Sequence, residues 1–139
     1  MFSKSNLVPF IGAALWAYFG GFFLWSVIGG VLLSDNLGSA TGVMRSNPLH
    51  FMLILGCVIL ALLFTVLYSK WSRGYYSISQ GVQFGMLLGI FQGFGSGMID
   101  YATSNMLSLT GFLINALLYV VYYVIMGVIT SILFSKFSK

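Results

Sequence analysis

The chain has 139 residues, of which 59 % are hydrophobic and 6 % charged, and its mean hydropathy is +0.99. Six Lys/Arg, two Asp, no Glu and one His leave a net charge of +4, whereas a soluble domain carries about 25 % charged residues. That arithmetic excludes a water-soluble globule, a disordered chain, a disulfide scaffold (there is one Cys) and a nucleic-acid binder, whose phosphate contacts need a denser basic patch.

Charge-free stretches organise the chain. A helix needs about 20 apolar residues to cross ~30 Å of hydrocarbon. Four spans of that kind are predicted, at about 8–33, 49–69, 80–101 and 109–134. Each run is continuous rather than alternating, so helices are expected and a transmembrane barrel is not. The fold class is therefore all-α, a single polytopic domain of four transmembrane helices.

Span 1 follows a lone Lys4 and is much longer than the apolar core of a cleaved signal peptide, so it is expected to remain as a span. It carries Gly12, Gly20, Gly21, Gly29 and Gly30 among Trp16, Tyr18, Phe19, Phe22, Phe23 and Trp25. The turn-rich Ser34-Asp35-Asn36-Leu37-Gly38-Ser39 ends it. Asn47-Pro48 has the form of an N-cap followed by Pro at the first helical position, and is expected to open span 2. Lys4, Lys70, Arg73, Lys136 and Lys139 fall on one side of a four-span arrangement, and only Arg45 falls on the other. Five against one places both termini in the cytoplasm, N-in and C-in, of what is expected to be a bacterial cytoplasmic membrane. Trp71, Tyr75 and Tyr76 beside Lys70 and Arg73 read as an interfacial aromatic belt.

Span 3 holds the most specific pattern. Gly81, Gly85, Gly89, Gly93 and Gly97 recur at spacing four. Each step rotates ~40° around a helix, so the row is a slowly drifting ridge of bare backbone. Such a ridge admits another helix at close range, which in lipid is a main source of association. It reads first as a packing seam within the bundle, then as a contact with a partner subunit or a second copy, and last as a pore lining of exposed backbone. The glycines of span 1 would let spans 1 and 3 meet, with span 3 as the closely packed centre. Gln92, Ser96 and Asp100 project into the glycine sector, at about 20°, 60° and 100° from Gly81. Phe84, Leu87, Phe91, Phe94 and Met98 form the opposite face, expected to meet lipid or a larger partner.

Only a short link, Thr103-Ser104-Asn105, separates spans 3 and 4, which should form an antiparallel hairpin. Span 4 has a stripe of Asn115, Tyr119, Tyr122, Met126 and Thr130, extended by Gly111. The hairpin brings Asp100 and Asn115 to similar depth, so Gln92, Ser96, Asp100, Asn115 and Tyr119 form a candidate polar cluster. Asp100 is the one acid near membrane depth; it either reaches water at the boundary, handles a proton or cation, or pairs with a partner. Asn115 is expected to make an interhelical hydrogen bond, with ligand binding as the alternative.

No catalytic set, metal site or cofactor site is assigned. One His, one Cys and two Asp cannot supply a four-ligand zinc site or a Ser/His/acid set, and no phosphate-cradling loop is present. His50, at the start of span 2, is the one residue that could ligate a haem- or chlorophyll-type metal, though an interfacial role suits a lone His. Cys57 reads as a small packing residue. An enzyme acting alone is not expected.

Gly85-Met86-Leu87-Leu88-Gly89, Tyr101, Phe112-Leu113-Ile114-Asn115-Ala116, the aromatic stretch Tyr119–Tyr123 and Met126-Gly127 carry a resemblance, joined by Gly20-Gly21 and Trp25 in span 1. With these residues the chain resembles a group of small bacterial four-helix membrane proteins defined as a domain of unknown function. Such proteins often carry a His after the Asn-Ala pair of span 4; this chain does not, so no role for that His carries over. The resemblance implies the four-span architecture and no activity.

The function expected is a non-catalytic integral membrane subunit that packs against a larger membrane complex through glycine-rich helix faces, or self-associates. The alternatives are a small oligomeric channel or carrier for protons, cations or a small solute, and a lipid- or pigment-binding subunit. The lipid bilayer is the first partner in each case.

Overall fold

The structure is a computed structural model, which describes residues 4–138. Four helices are long and apolar enough to cross a membrane: α1 (Leu7–Leu32), α2 (His50–Ser72), α3 (Ile78–Thr103) and α4 (Leu109–Phe137). No β-strand occurs among the described residues beyond one isolated bridge, Leu37 with Leu107. The chain is an all-α protein of membrane-spanning helices. Four antiparallel passes put both described ends at one end of the bundle, called here the terminal end; the loops around 34–49 and 104–108 form the far end.

Local chemistry sets the boundaries. Ser77 caps α3, its Oγ accepting from the Gln80 amide at 3.2 Å, and Ser108 caps α4 by accepting from Gly111 N at 3.1 Å. Both capping hydroxyls satisfy amides that would otherwise be orphaned at a helix start. α2 stops where Arg73 turns left-handed (φ 50) and Gly74 continues that turn at φ +86, a conformation that suits glycine. The expected start of this helix needs correction. Asn47 and Pro48 lie in the preceding loop, because Leu49 (φ −77, ψ 84) is not helical, and no side chain caps the first turn.

Two helices depart from α geometry. α1 contains π-helical turns at Trp16–Gly20 and Phe22–Ile28, and α3 contains one at Phe91–Ser96. The first and third contain glycine, and Phe22–Ile28 lies between Gly21 and Gly29. In α3 the wide turn has a use: a spacing-four ridge drifts by ~40° per step on an α-helix, and a turn holding more residues rotates it back.

The centre of the bundle is α4, not α3. Forty-four per cent of the most apolar window of α4 is buried, against 22 % for α3 and 28 % for α1 and α2. α3 and α1 both pack on α4, and no Cα of the described α1 comes within 8 Å of one in α3. Spans 1 and 3 therefore do not meet glycine to glycine. Each instead uses its small residues against α4, or against its own side chains.

The far end is laced by backbone hydrogen bonds: Gly38 N to Met106 O (2.9 Å), Ala40 N to Asn105 O (3.0 Å) and Ser108 N to Asn36 O (2.9 Å). Gly111 and Gly38 permit this closeness, since a Cβ on either would collide with a carbonyl oxygen, Asn36 O and Asn105 O respectively. At the terminal end Tyr76 folds back from its expected belt position to stack on Phe134 (4.6 Å between centroids, 14° between planes). Trp71 and Tyr75 remain exposed.

Candidate functional site: a polar cavity at the far end

The glycine ridge lies on the backbone of α4. A Cβ on Gly89 would stand 2.6 Å from Val120 Cα, and one on Gly93 2.5 Å from Ala116 O; at Gly81 and Gly85 it would collide with the carbonyls of Gly127 and Tyr123. A Cβ on Gly97 would meet the Phe112 ring at 3.2 Å. Gly127 answers from the other side, where a Cβ would strike Gly81 O. Phe112, Ala116, Val120, Tyr123 and Gly127 thus form the facing row. The opposite face of α3 is mostly exposed, at Leu87, Phe91 and Met98, but Phe84 is buried because α2 covers it with Phe64, Tyr68 and Trp71.

α1 docks on α4 quite differently. Trp16 Nε1 donates to the Tyr122 carbonyl at 2.9 Å, and the Tyr122 hydroxyl donates to the Ala17 carbonyl at 3.1 Å. Trp25 Nε1 donates to Asn115 Oδ1 at 2.8 Å, while its ring packs against Tyr119 (4.7 Å) and Tyr122 (5.3 Å). A Trp N–H taken away from water must find an acceptor, and α4 supplies two. Gly20 permits the first contact: a Cβ there would lie 2.5 Å from the Trp16 indole. Asn115 makes the interhelical hydrogen bond expected of it. The sequence did not identify its donor. The available signal was that Trp16 and Trp25 lie within span 1 rather than at its ends, where belt tryptophans sit.

Beyond Gly93 the two backbones part around Gly97 and Phe112. Between α3, the start of α4 and the link 104–107 they enclose a cavity of about 300 Å³. Gln92, Asp100, Asn115 and Tyr119 line it, together with the rings of Tyr101 and Phe112 and the link residues Ser104, Met106 and Leu107. Four of the five residues expected to cluster therefore share one space. Ser96, the fifth, is half-buried and does not line it. It closes the wide turn Phe91–Ser96, which changes the angular positions predicted for a regular helix.

The polar groups divide by task. Thr103 Oγ1 donates to Ile99 O (2.9 Å) and Ser104 Oγ donates to Asp100 O (2.7 Å), so both hydroxyls satisfy carbonyls at the end of α3. Asn115 Oδ1 is held by Trp25. Since an indole N–H can only donate, this fixes the amide orientation and leaves Nδ2 as the free end. Asp100 has no ion-pair partner among the described residues. On the terminal side the cavity is shut, because α3 and α4 run backbone against backbone from Gly93 to Gly81.

A second hollow, of about 360 Å³, is apolar and lies between α1 and α4 over Gly12, Trp16, Gly20, Phe23 and Ile129. His50 is exposed at the first residue of α2 and lines neither space. No three His, Cys or acidic side chains gather among the described residues. Thr65 and Thr130 are fully buried with their hydroxyls unpaired.

A scan against protein-family models finds no match to this chain, and searches of curated proteins and of solved structures find none either. The resemblance to small four-helix membrane proteins rests on its glycines and aromatics alone.

Proposed function

We propose that the chain is a non-catalytic integral membrane subunit that packs against a membrane-protein partner, in a bacterial cytoplasmic membrane with both termini inside. The supporting observation is the far half of α2. Every residue from His50 to Gly56 is exposed, so seven successive positions, covering the whole circumference, touch little of this chain. A Cβ on Gly56 would meet nothing within 4 Å. A helix that leaves its own bundle and carries an open glycine offers the close approach by which membrane helices associate. The α3 ridge, which the sequence marks more strongly, is already occupied by α4, so the proposed contact moves to α2. Lys4, Lys70, Arg73 and Lys136 at the terminal end against Arg45 at the far end, among the described residues, support the orientation.

The test is extraction in mild detergent with Gly56 intact or replaced by Leu. A specific co-purifying membrane protein, lost with Gly56→Leu while the thermal unfolding of the chain itself is unchanged, is the expected result. A monomer without companions in both cases counts against the proposal.

The cavity favours a second reading, a small carrier or channel handling a cation or small solute at Asp100. It predicts cation flux in liposomes that falls with Asp100→Asn; wild-type protein without flux counts against it.

A further inference from the structure

The cavity has a definite chemical character. Asp100 is the one charged residue that lines it, and no Lys or Arg does. A carboxylate beside low-dielectric walls with no cationic partner of its own favours a positive ligand. Three aromatic rings stand among the other walls: Tyr101 and Phe112 stack at 5.5 Å with 24° between their planes, and Tyr119 packs against Trp25. Ring faces attract diffuse cations, above all organic ammonium groups. A hard metal ion is a poorer fit, since it prefers several carboxylate or carbonyl oxygens; the cavity offers one carboxylate, while the Thr103 and Ser104 hydroxyls are engaged with α3 carbonyls and the Asn115 oxygen with Trp25.

Asn115 adds a second requirement. Its oxygen is taken by Trp25 and the residue lines the cavity, which leaves its N–H donors to serve a ligand there. The matching ligand therefore has an oxygen acceptor a few bonds from its cationic nitrogen. The depth fits as well. α3 has 26 residues, and in a span centred in the bilayer Asp100 lies about 14 Å from the midplane, at the boundary between the ~30 Å of hydrocarbon and the headgroups. The space is closed toward the terminal end, as expected of a binding site.

We propose that this cavity binds an organic ammonium group bearing an oxygen acceptor, of the ethanolamine or choline type. The nitrogen sits between Asp100 and the rings of Tyr101, Phe112 and Tyr119, and the oxygen is met by Asn115 Nδ2. The same chemistry occurs in a zwitterionic phospholipid headgroup and in a free amino alcohol. The inference uses the cavity of the second reading but requires binding only, so absence of flux would leave it standing.

The experiment uses the full chain in detergent. Free choline and ethanolamine are titrated while Trp fluorescence is followed, since Trp25 packs on the cavity wall. In parallel, native mass spectrometry measures retention of phosphatidylethanolamine and phosphatidylcholine against phosphatidylglycerol. Saturable binding of the free amines identifies a solute site; selective retention of the zwitterionic lipids without free-amine binding identifies a headgroup site. In either arm Asp100→Asn weakens binding about tenfold or more, as expected for loss of a charge-assisted contact. Tyr101→Leu, at a partly exposed ring outside the bundle core, weakens it less and tests the aromatic wall if the first variant fails to fold. A neutral tert-butyl analogue of choline does not bind. No selective binding in either arm, or undiminished binding by folded Asp100→Asn, overturns the proposal.

Discussion

α4 is gripped on two sides by opposite means. On the α3 side nothing protrudes: four glycines, Gly81 to Gly93, bring backbone onto backbone along Ala116, Val120, Tyr123 and Gly127. On the α1 side large side chains cross the gap, with Trp16, Trp25 and Tyr122 forming three hydrogen bonds among tilted and edge-on rings. The first seam depends on the absence of atoms and is intolerant of additions. The second depends on particular donors and loses strength one bond at a time. Lipid permits both, because neither relies on expulsion of water.

Substitutions at the two seams should separate them. The largest effect is expected from Gly85→Leu or Gly89→Leu, where the side chain would strike fixed backbone of α4 and cannot rotate away; a loss of about 3 kcal/mol or more is expected in thermal or denaturant unfolding in detergent micelles. Leu87→Ala, on the exposed face of the same helix, should cost far less. The side-chain seam should give intermediate values. Trp25→Phe leaves Asn115 Oδ1 without its donor, and Tyr122→Phe leaves the Ala17 carbonyl without one; each should cost about 1–2 kcal/mol. A double-mutant cycle on Trp25→Phe and Asn115→Ala should return a coupling energy of about 1 kcal/mol, whereas Trp25→Phe with Gly85→Ala should show little coupling. The smallest effect is expected at Thr130→Val. Its buried hydroxyl has no partner, so an isosteric apolar replacement should be neutral or stabilising by up to about 1 kcal/mol in the same assay.

The same contrast explains what could be read from the amino acids. The four helices, the lack of strands and the α3–α4 hairpin follow from charge-free run lengths and one short link. The cavity was legible at four positions, because hairpin geometry and helical spacing suffice to bring Gln92 and Asp100 opposite Asn115 and Tyr119. Ser96 was misplaced because the π turn at Phe91–Ser96 breaks the regular period, and no residue pattern announces such a turn. The glycine ridge announced that something approaches closely, but a row of missing side chains carries no information about which helix fills it. The tryptophan contacts were hidden for the converse reason. They join residues 90 or more positions apart, and each donor could have found any carbonyl or amide at its depth.

The central position of α4 has a consequence for how the protein is made. In chain order α4 follows the other three helices, yet α3 finds most of its packing surface there and α1 finds its hydrogen-bond acceptors there. Until α4 enters the bilayer, the bare glycines of α3 face lipid and the indole N–H groups of Trp16 and Trp25 have no acceptor on this chain. Insertion and assembly are thus separated in time. The half-made protein presents to the membrane, or to whatever assists its insertion, the surfaces that the finished one conceals.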